Sequence, residues 1–133
     1  MNPWWQRLGI WLDIDSARRA RATRAREAHG PGYGYVDLPG CALRYRAHGQ
    51  GPHCYVFAAD PPVVLEHYDG LVRALSPHAR VVVLELPGFG FSPVWNGFDF
   101  TLETNLVALA SALTQLDVQG ATLCFPCVSA YLA

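Results

Sequence analysis

The spacing of apolar and polar positions along this chain changes character as the sequence proceeds. From Met1 to about Ile14, Trp4, Leu8, Trp11 and Leu12 recur at helical spacing. Asp15 or Ser16 can cap a second helix, "ARRARATRAREAH", which "GPGYG" ends. That second helix has no apolar stripe beyond alanine, so it is solvated or rests on another surface.

From Tyr33 the period shortens to that of strands. "YGYVDL" and "CALRYRAH" alternate on either side of a Pro-Gly turn and read as a hairpin. After the turn "GQGP", "HCYVFAA" has the length and apolarity of a strand, and "DPP" breaks it. "VVLEHYDGLVRAL" then places Val64, Tyr68, Leu71, Val72 and Leu75 on one helical face. "ARVVVLEL" is a β-branched run of the kind buried on both faces of a sheet. "PGFGFSP" is a loop, and "TLETNLVALASALTQLD" is a helix with Thr101 or Thr104 as its cap. "ATLCF" is a further buried strand, and "VSAYLA" begins as a helix. Strands alternating with helices behind a hairpin predict an α/β fold, with parallel strands joined by right-handed crossovers.

Composition narrows the class. The chain has 133 residues, 51% apolar and 16% charged, which fits one globular domain or part of one. No apolar run reaches the roughly 18 residues needed to span a bilayer. A formal net charge of −1 argues against nucleic acid as a partner. All ten basic residues are arginine, and Arg7, Arg18, Arg19, Arg21, Arg24 and Arg26 fall in the first 30 residues. The absence of lysine suggests a GC-rich, bacterial genome. A tryptophan-rich turn followed by arginines can lie on an anionic membrane surface. More simply, it packs its tryptophans on the domain and solvates its arginines. "MNPWW" lacks the charged start of a secretory leader, so a cytoplasmic location is the default expectation.

The loop chemistry carries a resemblance. "VVVLELPGFGFS", Val81 to Ser92, resembles the strand end Asp-x-Pro-Gly-x-Gly-x-Ser of the α/β-hydrolase superfamily. Glu85 stands in the aspartate's place, and Pro87, Gly88, Gly90 and Ser92 match. "LRYRAHGQGPHCYVF" resembles the second and third strands of that family, and "DFTLETNLVALASALTQLDVQGATL" its helix leading into the nucleophile strand. The resemblance implies that residues 31–133 form the N-terminal half of such a domain, preceded by a helical extension over residues 1–30. It also places "FPCVS", Phe125 to Ser129, on the strand-to-helix nucleophile elbow, with Cys127 where the family usually has serine.

The resemblance implies a hydrolase of ester- or thioester-type acyl bonds in a small apolar substrate, with Cys127 as nucleophile. Backbone N–H groups of Ala59, Asp60 and Val128 would hold the oxyanion. A thiol at a helix N-terminus is favoured as thiolate. Phe125 replaces the family's glycine before the nucleophile, and Ala58-Ala59 replace its His-Gly. His29, His48, His53, His67 and His78 all precede Cys127, whereas the family's acid and histidine follow it. Ending at Ala133 would leave "ATLCF" as an apolar, unpaired strand edge, which predicts a fragment, or a surface covered by a second chain or by self-association. The alternative is a non-catalytic hydrolase fold used for binding or assembly.

The cysteines admit other readings. "CFPC", Cys124 to Cys127, has the spacing of a redox pair, but such folds place the motif early. Cys41 and Cys54 lie on separate predicted strands and read as small packing residues, so neither metal nor cofactor is expected. "DPP" makes Asp60 a turn residue, Ser92 a turn or cap residue and Ser129 structural. Glu85 is expected to shape its loop by accepting backbone N–H bonds. His48 and His67 are expected at the surface, and "PVWNGFDF" either lines an apolar entrance or covers the surface.

Overall fold

The computed structural model describes residues 30–95 and 97–133; the two N-terminal helices expected from the sequence lie outside these residues. Five strands form one sheet in the order β1-β2-β4-β3-β5: β1 (Tyr33–Leu38), β2 (Cys41–His48), β3 (Cys54–Ala59), β4 (Arg80–Glu85) and β5 (Thr122–Cys124). The hairpin register runs from Tyr33 opposite Arg46 to Leu38 opposite Cys41, closing over Pro39-Gly40. β2 is antiparallel to β4, whereas β3 is parallel to both β4 and β5. The architecture is thus the antiparallel hairpin followed by parallel strands that the pattern predicts.

β4 shows why the order holds. Val81, Val82, Val83 and Leu84 are all fully buried, and successive side chains serve opposite faces. Val82 and Leu84 join Leu43, Val56 and Ala58 in a core with Ala108, Leu109 and Ala112. Those alanines and Leu109 belong to α2 (Leu102–Gln115), whose Thr101 cap accepts a hydrogen bond from Thr104 N. Val81 and Val83 face the other way, onto Leu65 and Val72. Each such aliphatic side chain contributes about 1.5–3 kcal/mol on burial, so a run of four pins β4 at the centre.

Three expectations are corrected. The predicted helix after "DPP" is a 3-10 turn (Leu65–Tyr68) leading into α1 (Asp69–Leu75). The tighter turn rotates the phase, so Leu65 is fully buried while Leu71, expected on the core face, is 37% exposed. β5 is not buried: it is three residues long, pairs on one side only and leaves Leu123 39% exposed. The chain's last element is a 3-10 turn (Cys127–Leu132) rather than an α-helix. Among the described residues no helix is long and apolar enough to cross a membrane.

Candidate functional site

Because β3, β4 and β5 are parallel, their C-terminal ends open on one side of the sheet, and three loops meet there: the turn from Asp60, the Gly-rich loop after Glu85, and the junction at Cys127.

The Gly-rich loop is organised from β4. Glu85 is fully buried, and its Oε1 accepts from Leu65 N at 3.1 Å while Oε2 accepts from Phe91 N at 2.6 Å. The carboxylate therefore shapes its loop as expected. Gly90, at φ +53, is required here, since a Cβ would stand 2.5 Å from the Glu85 carboxyl carbon. Ser92, also fully buried, accepts from Arg44 N at 2.8 Å and donates to Glu85 O at 3.2 Å.

Arg44 was not visible as a key residue in the sequence. It is 1% exposed, and its Nη1 donates to Glu85 at 3.2 Å and to Glu66 at 3.2 Å. Its guanidinium lies 5.0 Å from the Tyr33 ring centroid and 4.9 Å from that of Phe91. Burial pushes the Glu85 carboxyl up to about 7, against the opposing pull of the Phe91 N–H and Arg44. Nearby, Arg46 bonds Asp69 and stacks on Tyr33.

At the β5 end, Cys127 is exposed and takes φ +46, one of three non-glycine residues with positive φ among those described. Val128 follows it in the turn, so its backbone and that of Ala59, the last residue of β3, belong to the same end of the sheet. Phe125, in the glycine's place, is half-buried against the main core. Ser129 is structural, as expected: it is fully buried and donates through Oγ to Pro126 O at 2.7 Å.

Asp60 is a turn residue, as expected, with its carbonyl accepting from Val63 N at 2.7 Å, and its side chain does more. Its Oδ1 accepts from Ser129 N at 2.9 Å, reaching across 69 positions of sequence to hold the elbow turn. Asp60 is 8% exposed, and its Oδ2 is buried with no donor in reach among the described residues. Burial first, and then the Asp60 charge, raise the Tyr68 phenol above its ordinary value.

Two clefts flank the junction. One, of about 420 Å³, is lined by Leu86 and Phe89 from the Gly-rich loop, Phe100 and Leu102, and Tyr131 and Leu132 beyond the elbow. The other, on the opposite face, lies among Phe57, Tyr68, Leu71, Leu123 and Pro126.

The remaining candidates separate. Cys41 is fully buried and its thiol is pushed up to about 11 by burial, the state of an inert packing residue. Cys54 and Cys124 are half-buried, and Cys124 Sγ contacts Thr122 O at 3.9 Å. His48, His53 and His78 lie at the opposite end of the sheet, where β2 ends and β3 and β4 begin. His67 is exposed on the turn after β3 and pairs with Val64 of its own turn. Among the described residues no three His, Cys, Asp or Glu side chains come together as a metal site.

No family model matches the chain, and no curated protein matches it. Solved structures do. The Cif epoxide hydrolase from Acinetobacter nosocomialis superposes with a TM-score of 0.70 at 16% identity, over 91% of this chain and 40% of that one. Cfl2 from Burkholderia cenocepacia gives 0.66 at 22% identity, over 75% and 34%. An alpha/beta hydrolase fold protein from Burkholderia ambifaria gives 0.59 at 17% identity, over 69% and 33%. The described residues therefore have part of the α/β-hydrolase fold, and the chain spans well under half the length of each of these structures.

Proposed function

We propose that this chain carries the nucleophile of a hydrolase acting on ester- or thioester-type acyl bonds, and that the nucleophile is Cys127. The observation that carries the reading is the conformation of Cys127: an exposed cysteine held at φ +46 where β5 ends and a helical turn begins, at the C-terminal end of the parallel strands. A β-carbon in that region is strained, and such strain is retained where a side chain must stand clear of the backbone.

In the first step Cys127 Sγ attacks the acyl carbon, an S–C bond forms, and the alcohol or thiol leaves carrying the thiol's proton. Backbone N–H groups of Val128 and of Ala59 or Asp60 are assigned to the oxyanion. The apolar cleft beside Leu86, Phe89 and Tyr131 takes the acyl chain. Deacylation by water is assigned to a base outside the described residues. Several of the structures similar to this chain are epoxide hydrolases. Thiolate opening of an epoxide would leave a thioether, which water does not cleave, whereas a thioester hydrolyses. An acyl carbon is thus the electrophile that a cysteine at this position can turn over.

The second reading, a hydrolase fold used for binding, is favoured by the buried Asp60 carboxylate at the elbow, since acyl transfer develops negative charge there. One experiment separates them. Incubation with p-nitrophenyl butyrate followed by peptide mass mapping should give a single acyl adduct on Cys127, absent from Cys127→Ala. Label shared equally with Cys124, or no label on a folded chain, sinks the nucleophile and leaves the binder.

A further inference from the structure

Just before α2 the chain holds two aromatic rings in different ways. Phe98 packs against the main core, and Phe100 meets it edge-on, with centroids 5.0 Å apart and planes at 79°. Phe100 itself is 47% exposed and takes φ +56, a conformation that costs any residue with a β-carbon. A ring that only filled the core would need neither feature. The strained backbone is tied in place. Asp99 Oδ1 reaches across Phe100 and accepts from Thr101 N and Thr101 Oγ1, each at 3.0 Å, and Thr101 in turn caps α2. The Gly-rich loop leaves a seat for the ring, since a Cβ on Gly88, at φ +81, would stand 2.5 Å from it. So placed, Phe100 lines the cleft of about 420 Å³ together with Leu86, Phe89, Leu102 and Leu132.

We propose that Phe100 is a specificity-determining residue, whose ring is a fixed wall that limits how long an apolar acyl chain the cleft takes. The substrate class is then an ester or thioester of a straight chain of medium length. At about 420 Å³ the cleft lies at the small end of ligand pockets, roughly 300–1,000 Å³, and its lining is mostly aliphatic and aromatic. A ring seated against Gly88 and Phe98, on a backbone tied across by Asp99, has little room to swing aside for a longer chain. The acyl nature of the occupant rests on the proposed function, whereas the limit on its length does not involve the sulfur.

The test is the affinity of the full chain for straight-chain methyl ketones of increasing length, measured by isothermal titration calorimetry. These carry the acyl group and leave nothing to hydrolyse. Each added methylene should tighten binding about fourfold until the ring is met, after which affinity should stop rising. Phe100→Gly removes the ring and suits φ +56, so it should melt no lower than Phe100→Ala. In both variants the break should move out by about two to four carbons, the room that the ring vacates. The shortest ketones should bind no more than about threefold more weakly. Phe100→Tyr keeps the ring and should keep the break. An unmoved break overturns the proposal, as does a uniform loss along the series, the absence of ketone binding, or the failure of both truncated variants to fold. An absent acyl adduct on wild-type Cys127 is a separate outcome, which sinks the nucleophile and leaves the chain-length limit standing.

Discussion

The two ends of the sheet are held in opposite ways. At the hairpin side, Arg44, Glu85 and Ser92 are buried together, and each makes at least two polar contacts across β2, β4 and the Gly-rich loop. At the β5 side, three residues of strand pair on one edge only, and the turn beyond them rests on a single buried carboxylate. The first region is over-determined: no residue in it can move without stranding another. Among the described residues, the second has a strained cysteine, a strand edge without a neighbour and a carboxylate oxygen without a donor. The hairpin side is held by several buried polar contacts, whereas the elbow turn depends on one.

That contrast is sharpest in what mutation should cost. Arg44→Met should destabilise by about 3–5 kcal/mol in urea unfolding, because it leaves Glu85 buried and uncompensated. A loss below 1 kcal/mol would show that the hairpin side is no more tightly held than the other.

The pH dependence follows next. Glu85 binds its proton more tightly folded than unfolded, since burial lifts it to about 7 from an ordinary 4.5. Its contribution to stability is thus fullest below about pH 4.5 and is lost as pH rises through 7, by up to about 3 kcal/mol. Denaturation midpoints from pH 5 to 8 should show this decline, and Glu85→Gln should flatten it while lowering stability throughout. A wild-type midpoint that rises over this range would mean that Arg44 and the loop N–H groups outweigh burial.

The smallest effect belongs to β5. Leu123→Ser should change stability by less than about 0.5 kcal/mol, although the position is in a strand, because Leu123 is 39% exposed. A cost above 1 kcal/mol would mean that this edge is packed.

The same divide explains what the sequence made legible. The hairpin, β3, β4 and α2 were all readable, because β-branched runs, Pro-Gly turns and a threonine cap act through neighbours in the chain. The Glu85 loop was readable because "PGFGFS" states its own turn. Arg44 was not: an arginine in an alternating strand looks solvated, and its partners Glu66 and Glu85 lie 22 and 41 positions away. The turn at Asp60 was legible, but not the bond of its side chain to Ser129, 69 positions on. The burial of β5 was not legible from its apolar composition, although its open edge was expected.

The bond from Arg44 N to Ser92 Oγ joins residues 48 positions apart, and it bears on the order in which the chain can organise. The hairpin is local and could close within microseconds by itself. Closed early, it would still carry a guanidinium with the Tyr33 ring but without its carboxylates or the Phe91 ring, since Glu66, Glu85 and Phe91 come later in the chain. A growing polypeptide must therefore emerge past Ser92 before its second strand has anywhere stable to rest. Loop closure over that span delays the reward for forming the hairpin. During synthesis the first half of this sheet waits for the fourth strand, and the two are expected to become ordered in a single cooperative event.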